Sequence, residues 1–343
     1  MGIVQSSDTF LNLSGCKVAE YVGSLDGGLA IYQENFAKYD LDGFFLSTLS
    51  KQAIEDTMED IGIPSRVHRN KLTTEILEWR ARCGIRPPLP DKPKAQQPPQ
   101  PPQPPQTANA SLLSSDFMPD NNEIKEAVKE WCIDQAIAEQ KYGHISKWDT
   151  SKVTDMKGLF KFKMHFNEDI SGWNVANVTD MKTMFYHADK FNHPLEQWNV
   201  ANVTTMEGMF QRARIFNQPL EKWNVAKVTS MKSMFLGALA FNQPLEQWNV
   251  TNVTNMESMF SDASFNQPLE QWNVTNVTDM RYMFRNNSTF NQPLEQWNVA
   301  NVTNMDEMFK DNSTFNQPLG QWNVANVTSM KGMFHKASAF NNT

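Results

Sequence analysis

The sequence predicts a multidomain protein: an all-α bundle of about five short helices followed by an α/β solenoid of about eight 25-residue repeats. Three observations lead there. Tryptophan returns at Trp148, Trp173, Trp198, Trp223, Trp248, Trp272, Trp297 and Trp322, an interval of 25 residues broken once by 24. Residues 87–106, from Pro87-Pro88-Leu89-Pro90 to Pro105-Gln106, are half proline and have no periodic apolar face, which marks a tether between folded parts. Ahead of that tether, apolar residues recur at helical spacing in short blocks.

Residues 17–83 hold those blocks: Val18, Tyr21, Val22 and Leu25, then Leu29, Tyr32 and Phe36, then Leu46 and Leu49. A longer block from about Val67 through Leu72, Ile76, Leu77 and Trp79 follows Pro64-Ser65, and a helix start tolerates proline. Helices this short bury their apolar faces only against one another, so a compact bundle is expected. The order Val18-Ala19-Glu20-Tyr21-Val22, Tyr32 and Phe36, Leu41-Asp42-Gly43-Phe44-Phe45-Leu46, Leu49, Ile61-Gly62-Ile63 and His68-Arg69 resembles a sterile alpha motif (SAM) domain over the whole segment. Tyr21 stands where that family often has tryptophan, and Met58-Glu59-Asp60 replaces its leucine-bearing lead into the Gly-Ile turn. The resemblance implies binding to other SAM domains, with RNA and lipid as rarer ligands of the family. In the family's commonest mode an acidic mid-loop surface meets the basic start of the last helix. Glu55, Asp56, Glu59 and Asp60 would supply the acidic face here, and Arg66, His68, Arg69 and Lys71 the basic one. Opposite patches on one domain permit head-to-tail assembly; an ordinary solvated surface is the plainer reading of the same charges.

Residues 1–16 form a leader and residues 84–122 the linker. Met1-Gly2-Ile3-Val4-Gln5-Ser6 fits the pattern for N-myristoylation at Gly2. One acyl chain binds membranes only marginally, and nothing basic or amphipathic surrounds Cys16, the candidate second acylation site, so an unmodified leader stands as the alternative. The proline-rich core of the linker is a polyproline II tether that spans about 60 Å when extended. Its PxxP segments suit an SH3 or WW domain, a plain spacer being the alternative.

Beyond the linker, residues 123–147 are expected to form an N-terminal capping helix and lead-in, through Ile124, Ala127, Val128, Trp131 and Tyr142-Gly143-His144-Ile145, and residues 148–343 the array itself. In the unit around Trp198, the Trp198-x-Val200 alternation with Leu195 three residues earlier suggests a short strand with its bulky side chains inward. Thr204 then stands at a helix N-cap with Glu207 completing a capping box, as Glu257 does for Thr254. Met206, Met209, Phe210 and Ala213 follow at i, i+3, i+4 and i+7, one face of a two-turn helix. Phe216 closes the unit, and Asn217 and Pro219 turn the chain toward the next. One unit cannot bury such a face alone, whereas stacked units can. These repeats resemble the BspA-type, DUF285-like repeats of bacterial surface proteins and of many protist and algal proteins, which are related to leucine-rich repeats.

Charge patterning points to function. The residues after the first methionine in the units from Met181 on, Lys182, Glu207, Lys232, Glu257, Arg281, Asp306 and Lys331, alternate in sign, as stacked units that pair charges would require. Glu196, Glu221, Glu246, Glu270 and Glu295 do not alternate, and Gln197, Gln247, Gln271 and Gln296 stand beside most of them. This acidic stripe, flanked by asparagines, would meet a basic or polar protein ligand; a duplicated solvated surface is the alternative. The methionine pairs Met181–Met184 and Met206–Met209 read as core, and the Asn-Val-Thr triplets, such as Asn177 to Thr179, as turn and capping residues. No nucleophile, metal or phosphate motif appears, so no enzyme and no cofactor are expected. A net charge of −7 argues against nucleic acid. Cys16, Cys83 and Cys132 lack metal-ligand or disulfide spacing. No secretory signal or long apolar run is present, so the expectation is a cytoplasmic chain, peripheral to the inner face of a membrane if Gly2 is acylated. The function expected is that of a scaffold or adaptor whose partners are proteins, itself included. Cell-surface adhesion of the BspA type is the alternative.

Overall fold

The computed structural model describes residues 22, 29, 32, 54, 58, 63, 66–82 and 117–341, which fall in two compact units, 1–107 and 108–343. In the first unit α1 spans Arg66–Arg82. Leu72, Thr73 and Ile76 of α1 are buried, as are Val22, Leu29, Tyr32, Ile54, Met58 and Ile63. The five-helix bundle is corrected accordingly: α1 is the one continuous helix among the described residues of this unit, and the blocks from Val18 to Leu49 lie almost wholly outside them. Apolar spacing marks a buried face without naming the backbone that carries it.

The second unit opens with two helices where a single capping helix is expected over 123–147. In α2, Asn121–Ile133, the Asp120 side chain accepts from the Asn122 and Glu123 N–H groups, and the Glu123 side chain accepts from Asp120 N–H at 2.9 Å, a complete capping box. Asp134 then ends α2 and caps α3, Gln135–Tyr142, by accepting from Ile137 N–H at 3.1 Å. The buried face of α2 is Ile124, Ala127, Val128 and Trp131.

From Trp148 the chain winds into stacked coils, numbered here from each successive tryptophan. The α/β solenoid is also corrected. Among the described residues the coils contain no α-helix and no strand. A single residue per coil forms a parallel bridge, running Asp155, Asp180, Thr205, Ser230, Asn255, Asp279, Asn304 and Ser329. The reason lies two and six residues after the first methionine of each coil, where the backbone is left-handed: Thr183 (φ 52°) and His187 (φ 55°) in coil two, Gly208 (φ 57°) and Arg212 (φ 57°) in coil three. A helix directs every N–H along its own axis to the fourth residue back, and a left-handed residue ends that pattern.

Here alternate donors turn outward instead. The N–H groups of Met181, Thr183, Phe185 and His187 donate to the carbonyls of Thr205, Glu207, Met209 and Gln211 in the next coil, at 3.2, 2.7, 2.8 and 2.9 Å. Between them Met184, Tyr186 and Ala188 donate three residues back, to Met181, Thr183 and Phe185, at 3.2, 3.2 and 3.0 Å. The segment is a run of tight turns, and the first and last of them have positive φ at the third position, Thr183 and His187, as in type II turns. Residues three and four apart still share a side, so Met206, Met209, Phe210 and Ala213 are all fully buried. Thr204 is no N-cap: its N–H and hydroxyl both donate to the Thr179 carbonyl of the preceding coil, at 2.9 and 3.1 Å, and Thr254 treats Thr229 likewise.

The segment around Trp198 is two further turns, closed by Trp198 N–H to Leu195 O at 3.0 Å and Val203 N–H to Val200 O at 2.9 Å. Leu195, Trp198, Val200 and Val203 point inward. Each indole N–H is spent on the coil before, as in Trp223 to Leu195 O at 2.9 Å. Two phenylalanine columns fill the core. Phe160, Phe185, Phe210, Phe235, Phe260, Phe284, Phe309 and Phe334 stack at 5.4–5.8 Å with ring planes within 10° of parallel. The second column, from Phe166 to Phe340, has spacings of 5.8–6.4 Å. The missing residue of the 24-residue interval falls between Ala263 and Phe265, where other coils have a turn such as Leu239-Ala240, and Phe265 keeps its place in the column.

The helical cap imitates a coil. Asn121 Oδ1 accepts from Thr154 N–H at 2.8 Å and Asp155 N–H at 3.1 Å, where later coils use the carbonyl of the preceding threonine. Trp148 Nε1 donates to Gly143 O at 3.0 Å in the same spirit.

The left-handed positions predict opposite outcomes for two substitutions. Ser258 is fully buried at φ 58° and its hydroxyl has no hydrogen-bond partner. Ser258→Gly should therefore raise stability by about 1 kcal/mol, relieving left-handed strain and an unsatisfied hydroxyl. Gly208→Val, at φ 57° with Gln211 Oε1 only 3.0 Å and Thr183 Cγ2 3.2 Å from a new Cβ, should lower it by about 2 kcal/mol or more. Urea denaturation followed by tryptophan fluorescence checks both.

Candidate binding surface

Leu195 and Trp198 close a turn and both point inward, which leaves Glu196 and Gln197 as its two outer corners. Repetition of that turn stacks the corners into the acidic stripe. Neighbouring carboxylates then lie roughly one coil spacing apart, about 5 Å, a distance at which like charges in water repel by somewhat under ~1 kcal/mol. Glu196 is relieved by Lys222, which replaces the glutamine of the next corner and brings its Nζ to 3.0 Å. Glu221, Glu246, Glu270 and Glu295 have no ion pair among the described residues. Gly320 ends the column, and beside it lies an open groove of about 490 Å³ lined by Glu295, Gln296, Trp297, Asn298, Gln321 and Asn323. The flanking asparagines are exposed, and Asn199 and Asn298 hold their turns by accepting from the N–H two residues on, at 3.2 Å each.

The alternating column behaves in the opposite way. Lys182 pairs with Glu207, and Glu257 is gripped by Lys232 and Arg281, each at 3.0 Å. Arg281 also reaches Asp279 at 2.8 Å. Burial pushes the Glu207 carboxyl up, but the Lys182 charge and hydrogen bond, the Ser230 hydroxyl and the Lys232 charge outweigh it and hold the group below the usual carboxylate range. The Ser329 hydroxyl and the Lys331 N–H both donate to Asp306. This column is structural.

The asparagines of the Asn-Val-Thr triplets are crossbars between coils rather than caps within one. Asn177, Asn202, Asn252, Asn276, Asn301 and Asn326 each donate from Nδ2 to a carbonyl of the preceding coil at 2.7–2.8 Å. Of the basic SAM candidates, Arg66 and Lys71 are exposed on α1. His68 meets the Tyr32 hydroxyl at 2.8 Å, and Arg69 Nη1 donates to Ile63 O at 2.8 Å, so both serve their own unit. The acidic candidates Glu55, Asp56, Glu59 and Asp60, and Gly2 of the leader, lie outside the described residues. Burial pushes the Cys132 thiol up to about 11, which keeps it protonated and unreactive. Among the described residues no three His, Cys, Asp or Glu side chains converge as metal ligands, and no helix is long and apolar enough to cross a membrane.

The helical reading concealed one surface. Among the second to ninth residues after each first methionine, those turned away from the core form an outer face whose identity changes from coil to coil: Met164, Asp189, Arg214, Leu239 and Ser288 share one position. His187, Gln211, Ser233, Ser258 and Arg285 are buried polar residues beneath it. That variability is present in the repeat alignment and was the available signal.

Residues 133–248, 195–284 and 261–343 match the family described as Mycoplasma protein of unknown function, DUF285, and residues 11–80 match the sterile alpha motif. The chain belongs to the DUF285 family and carries a SAM domain ahead of its DUF285 repeats. No curated protein matches it. SAM domains mediate protein–protein interaction and the DUF285 repeats are of a BspA-like surface family, which supports protein partners for this DUF285 protein.

Because Glu207 is lowered from its ordinary value of 4.5, the stability it contributes is present above about that pH and is lost as pH falls through the folded-state value. Glu207→Gln should cost about 1 kcal/mol at neutral pH and progressively less as pH falls below its ordinary value of 4.5, which denaturation curves of the variant and wild type across that range would show.

Proposed function

We propose that this DUF285 protein is a non-enzymatic scaffold or adaptor. Its SAM domain joins copies of the chain or a SAM-bearing partner, and its coil array presents the Glu/Gln stripe to a basic protein surface. One observation carries the reading. Four carboxylates stand in line at turn corners with no ion pair among the described residues, while the alternating column is paired at Lys182–Glu207, Lys232–Glu257 and Glu257–Arg281. A row of like charges held on a rigid frame costs self-repulsion that a cationic partner would offset, and it would speed that partner's association. The stacking that aligns the row supplies preorganisation, so little entropy is lost on binding.

The setting proposed is the cytoplasm, at the inner face of a membrane if Gly2 is acylated, with an SH3 or WW domain on the proline-rich linker as a further protein contact. The alternative, adhesion at a cell surface, draws on the BspA-like character of the repeats.

The full chain and a variant carrying Glu→Lys at Glu196, Glu221, Glu246, Glu270 and Glu295 would be used as baits in native lysate. The variant should fold as wild type, because the corners carry no core contact, and its circular dichroism would verify that. Proteins held by wild type and lost from the folded variant support the reading. Identical capture by both removes it.

A further inference from the structure

The turn face of coils one to three gathers positive charge: Lys161, Lys163, Lys190, Arg212 and Arg214. Its parts are contiguous. Phe162 N–H donates to Tyr186 O at 2.8 Å, His187 N–H to Gln211 O at 2.9 Å and Lys190 N–H to Met164 O at 3.1 Å, so the three coils lie side by side at this face. The Phe162 and Tyr186 rings, 4.9 Å apart, form a floor over which Lys161 Nζ sits at 5.3 and 6.0 Å. The acids on these segments are already engaged. Asp189 accepts from His187 Nδ1 at 3.1 Å and lies 3.7 Å from Arg214, and Glu207 is bound to Lys182. Lys163 and Lys190 have no ion pair among the described residues.

The complement to this face is on the same chain. The carboxylates of Glu221, Glu246, Glu270 and Glu295 form a row that advances one coil at a time, and the cations of the turn face are spread over three successive coils of the same stack. A rigid acidic row and a rigid basic patch can be laid together with charge opposite charge, without the ordering cost that a flexible ligand would pay. No ion pair joins the two surfaces within one copy among the described residues. They are different stretches of the coil, so a contact between copies is heterologous and leaves each copy with one surface still open.

We propose that the basic turn face of coils one to three docks on the acidic stripe of a second copy. The inference rests on the reading of the stripe as a binding surface and names its occupant. The resulting contact is head-to-tail and salt-sensitive, and it adds to whatever association the SAM domain provides.

Sedimentation velocity of the full chain tests it with two reversals. One carries Lys163→Glu, Lys190→Glu and Arg214→Glu; the other carries Lys at Glu221, Glu246, Glu270 and Glu295. The SAM domain is the same in every sample. At about 50 mM salt each reversal alone should associate at least about tenfold more weakly than wild type, and an equimolar mixture of the two should recover the loss, because each then offers the other an opposite charge. At about 500 mM salt wild type should fall toward the level of the single reversals, since the Debye length shrinks to a few ångströms; this measurement needs no variant to fold. Association that ignores salt and both reversals overturns the proposal, as does a mixture of folded reversals that fails to recover. If stripe reversal abolishes capture of a lysate protein while self-association is unchanged, the stripe serves another partner and this inference alone fails. If neither changes, both readings fail.

Discussion

The array depends on where its backbone donors point. In each coil before the last, alternate N–H groups between the first methionine and the second left-handed residue leave the coil and bond to the next one, which places the peptide dipoles along the stack axis. Two left-handed residues per coil make this possible, and among the described residues twelve of those positions are not glycine. Each carries strain of about 1–2 kcal/mol, tolerable because the bond it permits is buried between coils and would be costly to lose. A coil cut from its neighbours would keep the strain and forfeit the bonds, so the turns exist only as a stack.

From that alignment the rest follows. Fixed register puts phenylalanine over phenylalanine and tryptophan one coil above the carbonyl its indole needs. It also explains the helical cap, because the first coil presents the same donors as every other. Asn121 and the Gly143 carbonyl answer them, using an amide oxygen and a loop where a coil would use backbone. Side-chain ladders reinforce the arrangement outside the core: each asparagine of the second ladder offers its Oδ1 to the N–H of the asparagine above it, as Asn192 does for Asn217 at 2.9 Å.

The same register acts on charge. A column that repeats one sign repels itself, and a column that alternates pairs itself, so the stack turns sequence repetition into electrostatics. Lys182, Glu207, Lys232, Glu257 and Arg281 are consumed by their own column, whereas Glu221, Glu246, Glu270 and Glu295 are left to the outside. Uniform surfaces of this kind offer a partner charge and pitch. The turn face, where Met164, Asp189, Arg214, Leu239 and Ser288 occupy one position in successive coils, is where the chain departs from uniformity.

Much of this was legible beforehand. The tryptophan interval determined the number of coils and their boundaries, the apolar positions determined what is buried, and the signs along each column determined which charges pair. The conformation of the coil was not legible, because residues at i, i+3, i+4 and i+7 share a side both in a helix and in consecutive tight turns. Thr204 followed by Glu207 likewise reads as a capping box, although its hydroxyl bonds to the preceding coil. Sequence by itself determined the period, the core and the charge columns, since these depend only on which residue recurs where. The tertiary structure decided between helix and turns and brought the basic face of three coils together, because both rest on hydrogen bonds between residues about 25 positions apart, where local pattern carries no information.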